Sequence, residues 1–240
     1  MLDFLLIKNS FGVRSKEQDV NEYENAYKEL VKRIETNLKA SPAGDLGDVR
    51  RIREYSLVLR QVMLHRAINL FEGALSALVS ENVYTMILAI RGHFETTGAL
   101  GYLHKRLTSL SQGSVNSLVV DQDICALLLG GREGRPKNVP EAKSILSLLE
   151  GADETVSKHI FGGTSKQYNM LKDCYKFLCE FSHPNHHSNS IAFDLQKEKR
   201  QITMRHGMPM RDSEFNLIDN LLVCSPIFVD LFDRIGEIVP

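Results

Sequence analysis

The sequence predicts an all-α protein, a helical bundle of about six or seven helices with a small β-hairpin appendage near residues 191–204. Three observations carry this. Apolar residues recur at spacings of three and four over long stretches, which lines them along one helix face. Gly, Pro and Ser-Asn punctuation falls between those stretches. Only one short region reads as paired strands, on either side of a charged turn.

Each element follows in order. From Lys16 to Lys39, Val20, Tyr23, Ala26, Tyr27, Leu30, Ile34 and Leu38 mark the sticky face of an amphipathic helix. Ser41-Pro42-Ala43-Gly44 breaks it. A long helix from about Leu46 to Ser80 places Ile52, Leu59, Val62, Met63, Leu70, Leu75 and Leu78 on one side. After Ser80-Glu81-Asn82, a third helix from about Val83 to Leu107 is apolar nearly all round and therefore central. A fourth spans about Val115 to Leu129. Gly130 to Lys137 reads as a mobile basic loop, and Pro140 suits the first turn of a short helix ending near Glu150. Thr164 or Ser165 caps a helix that runs to about Phe181. Ile191–Leu195 and Gln201–Met204 form the hairpin, and Asp212 or Ser213 starts a last helix from Glu214 to about Ile238. No repeat or linker interrupts the chain. Residues 1–240 form one domain, with its core in about 16–181 and 212–238 and a hairpin insertion at about 190–206.

Composition sets further bounds. With 43% hydrophobic residues the chain can bury a core and is not disordered. Its formal net charge of -1 provides no global attraction for nucleic acid, so such binding needs a local patch. Cys125, Cys174, Cys179 and Cys224 lack paired spacing and read as buried free thiols of a reducing cytosol. The apolar start, Met1 to Ile7, is too short and too acidic for a secretory signal. No apolar run approaches the roughly 18 residues that span a bilayer. A soluble cytoplasmic protein, not associated with a membrane, is expected.

Candidate chemistry concentrates in two places. Arg91 and Glu95 sit four apart on the central helix, where they share a face and can pair. The pair is either a structural ion bridge or a site where Arg91 grips a phosphate or carboxylate and Glu95 orients it. Gly98 and Gly101 would let another helix backbone come close. The second place is Ser182-His183-Pro184-Asn185-His186-His187, where a helix meets solvent. His183 could bond a terminal carbonyl as a helix-end residue. It could act as acid or base, because imidazole changes charge near neutrality. Alternatively, His183, His186 and His187 could hold a transition metal, although no HExxH spacing or cysteine pair accompanies them. Arg132, Arg135 and Lys137 in the basic loop, with Lys199 and Arg200 in the hairpin turn, are candidate phosphate contacts. The loop lacks a P-loop's spacing, and neither GxSxG nor GxGxxG after a strand is present, so no cofactor is expected.

Arg91-x-x-x-Glu95 in a central helix, followed by a helix ending in Tyr175-x-x-Leu178-Cys179-Glu180-Phe181-Ser182-His183-Pro184, resembles an uncharacterised group of bacterial helical proteins related to the HEPN superfamily. The resemblance covers about Ser80 to Asn189. It implies a helical core, a homodimer, and a link to toxin–antitoxin, phage-defence or RNA-processing systems, with RNA or a protein antitoxin as partner. Active HEPN members are metal-independent endoribonucleases that carry an arginine, four to six residues, then a histidine. Here the residues at those spacings before His183 are Leu178, Phe177 and Lys176, so the catalytic Arg–His spacing is not intact. Only Lys176 is cationic, without the two-point grip of arginine. Transferred to this chain, the resemblance assigns His183 as acid/base. Arg91 and Lys176 would steady the phosphate, and Glu95 would orient Arg91. Some HEPN-like groups have lost catalysis and keep the bundle for dimerisation or protein binding, which is the alternative function.

Overall fold

The computed structural model describes residues 2–14, 16, 19–41, 44–131, 140–159 and 169–239. Among the described residues it is an all-α bundle with one two-stranded antiparallel hairpin. The first helix, α1 (Phe4–Gly12), makes the apolar start a structured element: Asp3 caps it by accepting the Leu5 and Leu6 amides. Its Phe11 is buried between Tyr23 and Phe215, at ring distances of 5.2 and 4.9 Å. Helix α2 (Val20–Val31) is shorter than the expected 16–39. The Arg33 guanidinium bonds the Glu29 carbonyl and pairs with Asp233, so the chain leaves the helix and Ile34 points to solvent.

Asp48 and Asn82 cap the two long helices, α3 (Val49–Val79) and α4 (Val83–Ser111). Helix α4 is the centre of the bundle, packing against α3, against α6 (Ile145–His159), against α7 (Met170–Ser182) and against α10 (Asn220–Ile238). Gly98 and Gly101 allow this approach: a Cβ at Gly101 would lie 2.4 Å from Cβ of Ala152 on α6. Helix α5 (Ser117–Leu129) packs beside α3, where its buried Asp121 pairs with Arg51.

Helix α6 starts at Ile145 rather than Pro140 and extends past the expected end near Glu150. The expected cap of α7 at Thr164 or Ser165 lies outside the described residues. The described end of α7 is held by Asp153 of α6, whose carboxylate accepts the Leu171 and Lys172 amides at 2.8 and 3.0 Å. His183 and Pro184 end α7, and the histidine segment is itself a short helix, α8 (His186–Ser190), capped by Asn185. The hairpin pairs β1 (Phe193–Gln196) with β2 (Gln201–Met204), Leu195 opposite Ile202. The expected single helix after Asp212 is divided into α9 (Asp212–Phe215), a 3₁₀ turn over Asn216–Asp219, and α10.

Two helical stretches, Val49–Val79 and Asp212–Ile238, are long and apolar enough by length and composition to cross a membrane, despite the short apolar runs. In the bundle, nearly half of the first window and over half of the second are buried.

Two buried titratable groups at this core predict a pH dependence. His93 on α4 is fully buried, 2.9 Å from the Ser225 hydroxyl and edge-on to Phe71, and burial pulls it down to about 4. The unfolded chain then takes up a proton that the folded chain refuses. Stability from His93 is complete above about pH 6.5 and is lost as pH falls toward 4. Burial pushes Asp153 the other way, up to about 6, against the two amide bonds it accepts. Its contribution is complete below about pH 3.8 and is lost as pH rises through 6. Each effect is worth roughly 3 kcal/mol, so they nearly offset between pH 4 and 6. The His93→Gln variant removes only the acid-labile half. Between pH 7 and pH 4.5, its urea midpoint should rise relative to that of wild type; parallel profiles would contradict the assignment.

Candidate functional site

Between Tyr84 and Glu95, helix α4 is covered except for one strip. Tyr84 and Leu88 are exposed, Arg91 and Glu95 are partly exposed, and the core-facing positions between them are buried. The spacing of three and four keeps this strip on one face. Helix α7 borders it on one side and α3 on the other, so the strip forms the floor of a shallow valley.

Arg91 crosses from the floor to α7. Its Nε donates to Glu95 Oε1 at 3.2 Å, its Nη1 donates to Ser182 Oγ at 3.2 Å, and its guanidinium lies 5.4 Å from the Tyr175 ring centre. The Tyr175 hydroxyl donates to the same Glu95 oxygen at 3.2 Å. Burial and then the Glu95 carboxylate push the Tyr175 phenol up to about 12, so it stays a neutral donor at physiological pH. Burial opposes the charge of Arg91, but Tyr175, Glu95 and Cys179 together hold its pKa above the ordinary value.

The other Glu95 oxygen faces α3. Arg66 Nη2 lies 4.0 Å from Oε2, and Arg66 Nε donates to Thr96 Oγ1 at 3.0 Å. One carboxylate is thus shared by two arginines. The same arrangement recurs further along, where Asp123 sits between Arg106 and Lys143, at 2.6 and 2.5 Å. Around these two carboxylates stand four cations, so these six side chains carry a net positive charge although the whole chain is at -1. Lys143, Arg66 and Glu95 line one cleft of about 200 Å³.

The sequence-derived candidates divide. Arg91 and Glu95 are brought together with Ser182, the neighbour of His183. The His183 ring is exposed at the end of α7, and among the described residues no side chain bonds it. Its main chain carries the helix-end role, with the amide bonded to the Cys179 carbonyl at 3.1 Å. Lys176 is exposed on another stripe of α7, where it adds to the field of Lys172 at Glu150 of α6. His186 and His187 lie ring to ring at 5.6 Å, and His187 packs on Phe181. Among the described residues, no three His, Cys, Asp or Glu side chains gather where they could hold a metal. Lys199 and Arg200 are exposed at the hairpin turn, whereas Arg205 and Arg211 are tied down by Asp194 and Glu214. Arg132, Arg135 and Lys137 lie outside the described residues. Arg66, Arg106 and Lys143 were not legible as site residues, because on paper each is one more cation on a helix surface.

Comparison of the chain with protein-family models, with curated proteins and with solved structures returns no match.

Proposed function

We propose that this chain binds RNA along the α4 valley and cleaves it without metal, as a protein of the HEPN-like kind that serves bacterial defence or stress systems. One observation carries the reading: Arg91 is bonded to Ser182, which sets a permanently charged phosphate-holding group one residue from the exposed imidazole of His183. The shared carboxylate of Glu95 fixes Arg91 in place without cancelling both arginines. In cleavage, His183 takes the proton of a ribose 2′-hydroxyl, and the 2′-oxygen attacks the adjacent phosphorus. The bond to the 5′-oxygen breaks, and that oxygen regains a proton from imidazolium or water. The products are a 2′,3′-cyclic phosphate and a 5′-hydroxyl. Arg91 offsets the charge that builds on the phosphoryl oxygens. A second copy of the chain is the proposed assembly partner, so that two valleys act together.

Anisotropy with labelled single-stranded RNA tests the binding half. Arg91→Ala should weaken affinity about tenfold and flatten the salt dependence by about 0.7 in log–log slope, as expected for one lost phosphate contact. An unchanged affinity and slope would refute it.

A second reading, a non-catalytic dimerisation or protein-binding module, is favoured by a specific observation. Arg91 already donates to two partners within the chain, and Leu88 and Tyr84 are exposed on the same strip. There Arg91→Ala acts mainly on stability. Removing this partly buried partner should cost about 1–3 kcal/mol, or several degrees of melting temperature at roughly 2–4 °C per kcal/mol. Wild-type RNA affinity indistinguishable from background, together with that melt, would select this reading.

A further inference from the structure

The valley does not end at Glu95. Beyond it the floor drops into the cleft of about 200 Å³, whose walls are aliphatic: Met63, Ala99, Leu127 and Leu148. Its polar lining is supplied by Arg66, Glu95, Thr96 and Lys143, of which Thr96 is buried. That volume lies below the roughly 300–1,000 Å³ of sites that enclose a drug-sized ligand, so its occupant is about one ring system in size. Arg66 stands at the mouth with its side chain 54% exposed. Its Nε is held by Thr96, whose hydroxyl bonds the Gly92 carbonyl at 2.7 Å, and its Nη2 lies 4.0 Å from Glu95 Oε2, so the guanidinium plane is anchored along one edge.

We infer that this cleft takes one unstacked base of a single-stranded RNA, with Arg66 as a second phosphate or base contact beside Arg91. The inference rests on the RNA reading above and deepens it by naming the form of RNA that the site selects. Three features combine to favour a nucleotide over other anions. The cleft is ring-sized, and aliphatic side chains make up the larger part of its lining. The guanidinium plane at its entrance offers a stacking surface as well as charge, and proteins read splayed bases on arginine planes and aromatic rings. Arg66 and Lys143 against Glu95 give the rim the sign that phosphates require. Along α4 the seven steps from Leu88 to Glu95 cover about 10 Å at 1.5 Å per residue, so a strand engaged near the end of α7 can reach the cleft within a few nucleotides. A duplex, whose bases are stacked and paired, cannot deliver one into it.

The test uses the full chain and two fluorescein-labelled eight-nucleotide strands: a mixed-sequence RNA, and a ribose-phosphate strand of the same length without bases. Wild type should bind the intact RNA about tenfold more tightly, the scale of one inserted base. Ala99→Met fills the cleft and should bring the intact strand down to the affinity of the abasic one, with abasic binding unchanged. If Ala99→Met melts well below wild type, Arg66→Gln replaces it in the comparison. That variant alters a mainly exposed side chain and should weaken both strands and narrow the gap between them. Equal affinity of wild type for the two strands overturns the base cleft and leaves RNA binding standing. If wild type binds neither strand, the RNA reading fails and the cleft assignment falls with it.

Discussion

Replacing Gly101 by valine should lower the melting temperature of the chain by about 10 °C or more. The Cβ of any side chain there would stand 2.4 Å from Ala152 Cβ and 2.7 Å from Ala152 Cα. Real carbon contacts do not come so close, and one of the two atoms is backbone, so no rotamer change relieves the clash. Helix α6 must move away from the central helix, opening a seam in which Leu149, Ala152 and Val156 are buried. Overpacking by a single group commonly costs about 1–3 kcal/mol where side chains can yield. Here the cost should exceed roughly 4 kcal/mol, against a total stability of about 5–15 kcal/mol. Circular dichroism and urea titration read the result. Gly113→Ala is the control: it has open space around it and strains only a φ of +68°, so it should cost about 1 kcal/mol. A Gly101→Val protein that melts within a few degrees of wild type would show that α4 and α6 do not pack as described.

The second large effect is on chemistry. His183→Ala should slow RNA cleavage by about 10²–10⁴, the usual contribution of a general acid or base. It should leave melting temperature and RNA affinity close to wild type, because the ring is exposed and no described side chain bonds it. Single-turnover rates with labelled RNA, alongside a thermal melt, separate the two. A loss of stability equal to the loss of rate would point instead to a structural role for His183 at the end of α7.

The bundle was largely legible because its signals are local. Long runs with a spacing of three to four place α3 and α4 to within a few residues, and Asn82 marks the start of α4 as both a cap and a break. The errors arose where tertiary contacts override local pattern. Periodicity continues through Ile34, but Arg33 reaches Asp233, 200 positions away, and ends α2. Pro140 is a good helix starter, yet α6 begins at Ile145. Asp153 caps α7 from another helix, a role that no local motif encodes. For the site, the spacing of Arg91 and Glu95 showed that they could pair. It could not show that Glu95 also faces Arg66, or that Arg91 bonds Ser182, because these partners meet only when α3 and α7 pack against α4. The positive patch was invisible for the same reason: its cations come from α3, α4 and the segment before α6.

The most direct measurement of the central claim is cleavage of a mixed labelled RNA pool in excess EDTA by wild type and His183→Ala, with the ends of the products identified. Wild type should cut, leaving 2′,3′-cyclic phosphates and 5′-hydroxyls, and the variant should not. Equal cutting by both proteins, or none by wild type, would contradict it.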